Sequence, residues 1–165
     1  MEDFVKYETA KLAEEKGFDK ECSHYYDIIH KELGGHSQDK WCNSEIKNGL
    51  GKFKFPMIAA PTQSELQKYL RNVHNIHVTV NFHSHPKLEK DWYEMWISSP
   101  HNDFGGHGLF LMKKIEARGK KINWLDSPEE FGMFTSHEKA LEAGLFNALN
   151  LIQCSRDTIT GNTQH

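Results

Sequence analysis

Apolar residues recur at helical spacing in three stretches of this chain and alternate in two others. Residues 3–16 carry Phe4, Val5, Leu12 and Ala13 among charged neighbours, the pattern of an amphipathic helix, and Gly17 follows as a natural C-cap. Thr62 stands three residues before Glu65, the capping-box spacing. Leu66, Tyr69, Leu70 and Val73 then form the i, i+3, i+4, i+7 stripe of a central helix. Ser136 caps a last helix whose buried stripe is Leu141, Leu145, Ala148, Leu149 and Ile152. Between these helices, residues 76–82 alternate, with Ile76, Val78, Val80 and Phe82 on one face. Residues 92–98 alternate too, with Trp92, Glu94 and Trp96 on one face and Tyr93, Met95 and Ile97 on the other. Residues 24–30 mix strand and helix character, residues 36–52 read as loop or a short edge strand, and Phe53-Lys54-Phe55 reads as a short strand. Residues 99–108 form a turn-rich loop. After it, residues 109–112 and 122–125 read as two short strands, or as a helix and a strand. The order predicts an α+β fold: a single domain over residues 1–154, a mainly antiparallel sheet with helices packed on one face, and a mobile polar tail at 155–165.

Composition narrows the function classes. A formal net charge of -3 lacks the basic excess that binding to extended nucleic acid or to a membrane surface needs. No run approaches the roughly 18 apolar residues of a membrane span. Three cysteines, Cys22, Cys42 and Cys154, are too scattered for a disulfide framework or a closed zinc site. The acidic start Met1-Glu2-Asp3-Phe4 is unlike a secretory signal. Together these features predict a cytoplasmic protein.

Two sets of residues carry candidate chemistry. Thr62 and Gln63 open a helix, where backbone N–H groups and the dipole suit an anion. Arg71 ends that helix, and Trp41, Tyr93 and Trp96 supply aromatic faces. Aromatics and an arginine stack a base and grip a phosphate, so the six residues suggest a small nucleotide-like ligand bound without cofactor. Capping and ordinary core packing explain the same residues equally well.

The second set starts from His83-Ser84-His85-Pro86. In extended chain the two histidines point the same way with Cα atoms roughly 7 Å apart, a workable spacing for two zinc ligands. Asp103, His101, His107 and Glu94 are candidates for a third. The string Val-Asn-Phe-His-Ser-His-Pro at 80–86 resembles the strand-and-ligand element of the JAMM metalloproteases. That resemblance implies a zinc-dependent hydrolase with His83, His85 and Asp103 as ligands. The JAMM pattern also places a Ser and an Asp two residues apart soon after the Pro. Tyr93 and Trp96 occupy the matching positions, so the acid is missing from its place and Asp103 comes late. Surface histidines at a strand end explain the string without any metal.

Three segments resemble a family of small uncharacterised proteins encoded by phages and prophages of Bacteroides-type bacteria. They are Trp41-Cys42-Asn43-Ser44-Glu45; Ala60-Pro61-Thr62-Gln63 running to Tyr69-Leu70-Arg71; and Ser136-His137-Glu138-Lys139-Ala140-Leu141-Glu142-Ala143-Gly144-Leu145. The resemblance implies a phage accessory protein acting in the host cytoplasm. Such proteins commonly counter host defence, so it also implies a non-enzymatic binder of a nucleotide-type signal or of a host protein, assembled as a homo-oligomer. It names no chemistry, and His-x-His-Pro is not part of its pattern.

Overall fold

A computed structural model describes residues 3–35, 40–48, 56–85, 90–98 and 133–152 of the chain. In chain order the elements are α1 (Tyr7–Glu15), β1 (Tyr25–Asp27), β2 (Leu33–Gly34), α2 (Asn43–Lys47), β3 (Met57–Ala59), α3 (Gln63–His74), β4 (His77–His85), β5 (Lys90–Ser98), β6 (Met133–Phe134) and α4 (His137–Leu151). The class is α+β, as the periodicities predict. The strands divide into two three-stranded antiparallel sheets, ordered β2-β1-β3 and β4-β5-β6, rather than one. The expected strands at 53–55, 109–112 and 122–125, the loop at 99–108 and the tail at 155–165 lie outside the described residues.

Helix α4 is the hub. It packs on β4 and β5 on one side and against α1 and α3 on the other. Its Ala140, Leu141, Leu145, Ala148 and Leu149 are buried among Val5, Ala10, Ala13, Leu66, Leu70 and Val78. Gly144 allows the close approach to the hairpin: a Cβ there would lie 2.6 Å from Val78 Cγ1 and 3.4 Å from Met95 Sδ.

Helix α3 forms as its capping box predicts. Thr62 Oγ1 accepts from the Glu65 amide at 3.2 Å, and the Thr62 amide donates to Glu65 Oε2 at 2.8 Å. Its stripe departs from expectation at one position, since Val73 is 56% exposed. Asn75 takes a left-handed conformation (φ 54°) and the chain turns back so that the Ile76 amide bonds the Leu70 carbonyl. Ile76, not Val73, then fills the core at that end.

Short α2 replaces the expected loop or edge strand. The Glu45 carboxylate accepts from the Cys42 amide at 2.9 Å. The buried Asn43 side chain donates to the Phe18 carbonyl at 2.9 Å and accepts from the Ala59 amide at 2.8 Å, tying α2 to β3.

One helix end carries a pH dependence. His74 Nε2 lies 3.1 Å from Tyr69 Oη, and burial holds the imidazole below its ordinary value of 6.5. A depressed histidine contributes stability that is present above the unfolded value and lost as pH falls through the folded one. This contribution falls away as pH drops below about 6.5, so His74→Gln should lose less stability than wild type over that range. His30 works in the opposite sense: Asp27, 2.7 Å away, raises it, so its contribution is lost as pH rises. Asp19, Asp27, Glu45 and Glu138, all held low chiefly by hydrogen bonds, weaken the fold only at lower pH. Melting curves of the two proteins across this range check the expectation.

Candidate functional site

The β4–β5 hairpin has two chemically different faces. Directly opposite residues share a face, so the register places Val78 with Ile97, Val80 with Met95 and Phe82 with Tyr93 on the helix side. On the other face His77, Thr79, Asn81 and His83 stand opposite Ser98, Trp96, Glu94 and Trp92.

That second face holds a connected group. The His83 ring lies nearly parallel to the Trp92 indole, with centroids 5.5 Å apart and planes 12° off. Glu94 sits on the diagonal, with Oε2 3.0 Å from His83 Nε2. Nε2 is covered from solvent and meets the carboxylate off the hydrogen-bond line, so the contact is electrostatic when the imidazole is protonated. The same Oε2 accepts from Trp96 Nε1 at 3.2 Å. One carboxylate oxygen thus orients an imidazole on one side and an indole on the other, while Trp96 remains 40% exposed. The result is an aromatic surface with an acceptor at its centre.

The sequence-based candidates are distributed over the molecule. Thr62 and Gln63 are buried at the start of α3. Thr62 serves the cap, and Gln63 Nε2 donates to the Glu138 carbonyl at 3.1 Å and to Glu142 Oε2 at 3.2 Å. Arg71 is exposed on the last turn, nine residues beyond Thr62, or about 13 Å along the helix. Trp41 pairs through its backbone with Cys22. Tyr93 lies on the helix side of the hairpin, 5.3 Å from Phe82 and edge-on to His137 at 6.2 Å between ring centroids. It therefore faces away from Trp96.

For a metal, His83 and Glu94 are two donors already in contact. Catalytic zinc takes three protein ligands, and among the described residues no group of three or more His, Cys, Asp or Glu could hold an ion. His85 ends β4 opposite Lys90. Its side chain, and Asp103, His101 and His107, lie outside the described residues. The donors in view do not make a zinc site, and no metal-dependent step follows from them.

One notable group was not among the sequence candidates. Glu142 on α4 is 7% exposed. Its Oε1 accepts from the Lys6 amide at 2.9 Å and from Thr9 Oγ1 at 2.6 Å, while Oε2 receives Gln63. Lys6 is the N-cap of α1 and supplies no side-chain cap of its own. A carboxylate from α4 thus caps α1 and also meets the first residue of α3, where both helix dipoles favour negative charge. Its signal in the sequence was a lone acid within the apolar run 140–145.

No helix among the described residues is long and apolar enough to cross a membrane. Comparison with protein-family models, with curated proteins and with solved structures found no match.

Proposed function

We propose that this protein is a phage-type accessory protein that binds its target without turnover, and that the helix-free face of the β4–β5 hairpin binds a planar, nucleotide-like ligand. The observation that supports this reading most is the Trp96–Glu94–His83–Trp92 group. Trp96 offers an indole face whose edge is already fixed by Glu94. Bases stack on such faces irrespective of sequence. The Glu94 carboxylate accepts from an exocyclic amine, so the preferred base carries one. It also repels a phosphate, so recognition runs through the base. Sequestering a nucleotide-type signal in the host cytoplasm would suit such a surface. A host protein is the other target class the resemblance implies, and the hydrolase alternative needs a third ligand beyond His83 and Glu94.

Tryptophan emission provides the test. Adenosine and guanosine nucleotides should quench it saturably, and uridine nucleotides should do so much less. Trp96→Ala should weaken binding by about tenfold to a hundredfold, the loss of one stacked base at about 1–3 kcal/mol. Equal quenching by every base, or unchanged affinity in Trp96→Ala, would reject this surface.

A further inference from the structure

Strand β4 is nine residues long and stands at the edge of its sheet, in the order β4-β5-β6. Among the described residues no strand lies on its far side. Natural edges are usually kept from pairing by charge, proline, bulges or short length. None of these guards is present: residues 77–85 contain no Asp, Glu, Lys, Arg or Pro, and the register with β5 runs unbroken through nine pairs. One obstruction sits at the α3 end, where Gln67 Nε2 donates to the Val78 carbonyl at 2.6 Å. That bond turns the Val78 carbonyl away from β5. By alternation the backbone groups of Val80, Phe82 and Ser84 face the open edge. The Phe82 side chain is itself 56% exposed.

We propose that β4 pairs antiparallel with β4 of a second copy about a twofold axis at Asn81, merging two three-stranded sheets into one of six. The strand is complementary to itself in this register. Val80 stands opposite Phe82 of the second copy, a β-branched residue against an aromatic. Thr79 stands opposite His83, Asn81 opposite its own equivalent, and His77 opposite His85 only at the two ends. A centre nearer His77 would bring the Gln67–Val78 bond into the middle of the ladder; centred on Asn81, that bond meets only Ser84 at each end, so the shared ladder runs over Val80–Phe82. A centre nearer His85 would run Pro86, which has no N–H, into the ladder. The axis is perpendicular to the sheet, so the two His83–Glu94–Trp96 faces come to lie side by side on one surface. The pairing stands on the edge geometry alone and holds whether or not that surface binds nucleotides.

Sedimentation velocity of the full chain tests it. Wild type should sediment as a dimer. Asn81→Lys places two ammonium groups face to face across a pair whose Cα atoms are about 4.5 Å apart, and should sediment as a monomer. Within its own hairpin the new lysine faces Glu94, so the fold is retained, as circular dichroism should show. With Cys42 and Cys154 replaced by Ser, Asn81→Cys should form a covalent dimer on mild oxidation, since that spacing suits a disulfide. Thr79→Cys, which meets His83 and not its own equivalent, should not. A monomeric wild type, a folded Asn81→Lys that remains dimeric, or equal cross-linking at both positions would overturn the proposal.

Discussion

Gly144→Ala should destabilise the protein in the wild-type background and stabilise it in a Val78→Ala background. The new Cβ would lie 2.6 Å from Val78 Cγ1, a distance at which something must move. Val78 is β-branched, 2% exposed and held in β4, so its methyl has no free rotamer to escape into. Overpacking of this kind costs about 1–3 kcal/mol, and removing a mid-helix glycine returns about 1 kcal/mol. The net loss should be up to about 2 kcal/mol for alanine and about 3 kcal/mol for Gly144→Val, which forces two further methyl groups into the same contact. Val78→Ala removes the obstructing methyl and leaves only the helix-propensity gain, so the effect of Gly144→Ala changes sign. Urea unfolding of the four proteins in this cycle measures the coupling directly. A coupling near zero would mean that α4 does not seat on the hairpin at this residue.

Glu142→Leu should be at least as damaging. The leucine side chain fits the volume but leaves the Lys6 amide, the Thr9 hydroxyl and the Gln63 amide with no carboxylate to accept them. Each buried donor left unsatisfied costs about 1–3 kcal/mol, so on the order of 4 kcal/mol should be lost in total. Glu142→Gln keeps an oxygen for Lys6 and Thr9 but loses the charge that suits two helix N-termini. It should cost about 1–2 kcal/mol. Chemical denaturation reads both, and a Glu142→Leu protein within about 1 kcal/mol of wild type would show that solvent, not this carboxylate, satisfies those groups.

The contrast between these residues explains how far the sequence could be read. Helices α3 and α4 and strands β4 and β5 announce themselves because burial on one side imposes a period of 3.6 or 2, whereas α1 begins only at Tyr7 and buries Thr9, Ala10 and Ala13, leaving the expected stripe residues Phe4 and Val5 in the extended chain before it. The Thr62–Glu65 cap was legible because its spacing is local. Helix α2 was not, because Asn43 holds it through the backbone of Phe18 and Ala59, contacts distant in sequence and independent of any apolar stripe. Val73 looked like a core residue because periodicity does not reveal where a chain turns back, and the left-handed Asn75 gave its place to Ile76. The hairpin face was half legible. Alternation puts Trp92, Glu94 and Trp96 together, but only the register brings His83 diagonally onto Glu94. That register separates Tyr93 from Trp96, and burial assigns Thr62 and Gln63 to the joint between helices.

The proposed stacking of a base on the Trp96 face beside Glu94 is checked by calorimetric titration of the wild-type protein with mononucleotides and cyclic oligonucleotides, with Trp96→Ala run alongside. Saturable heat is expected with at least one amine-bearing nucleotide, lost or strongly weakened in Trp96→Ala. No heat from any of these compounds, or equal heat from both proteins, would contradict it.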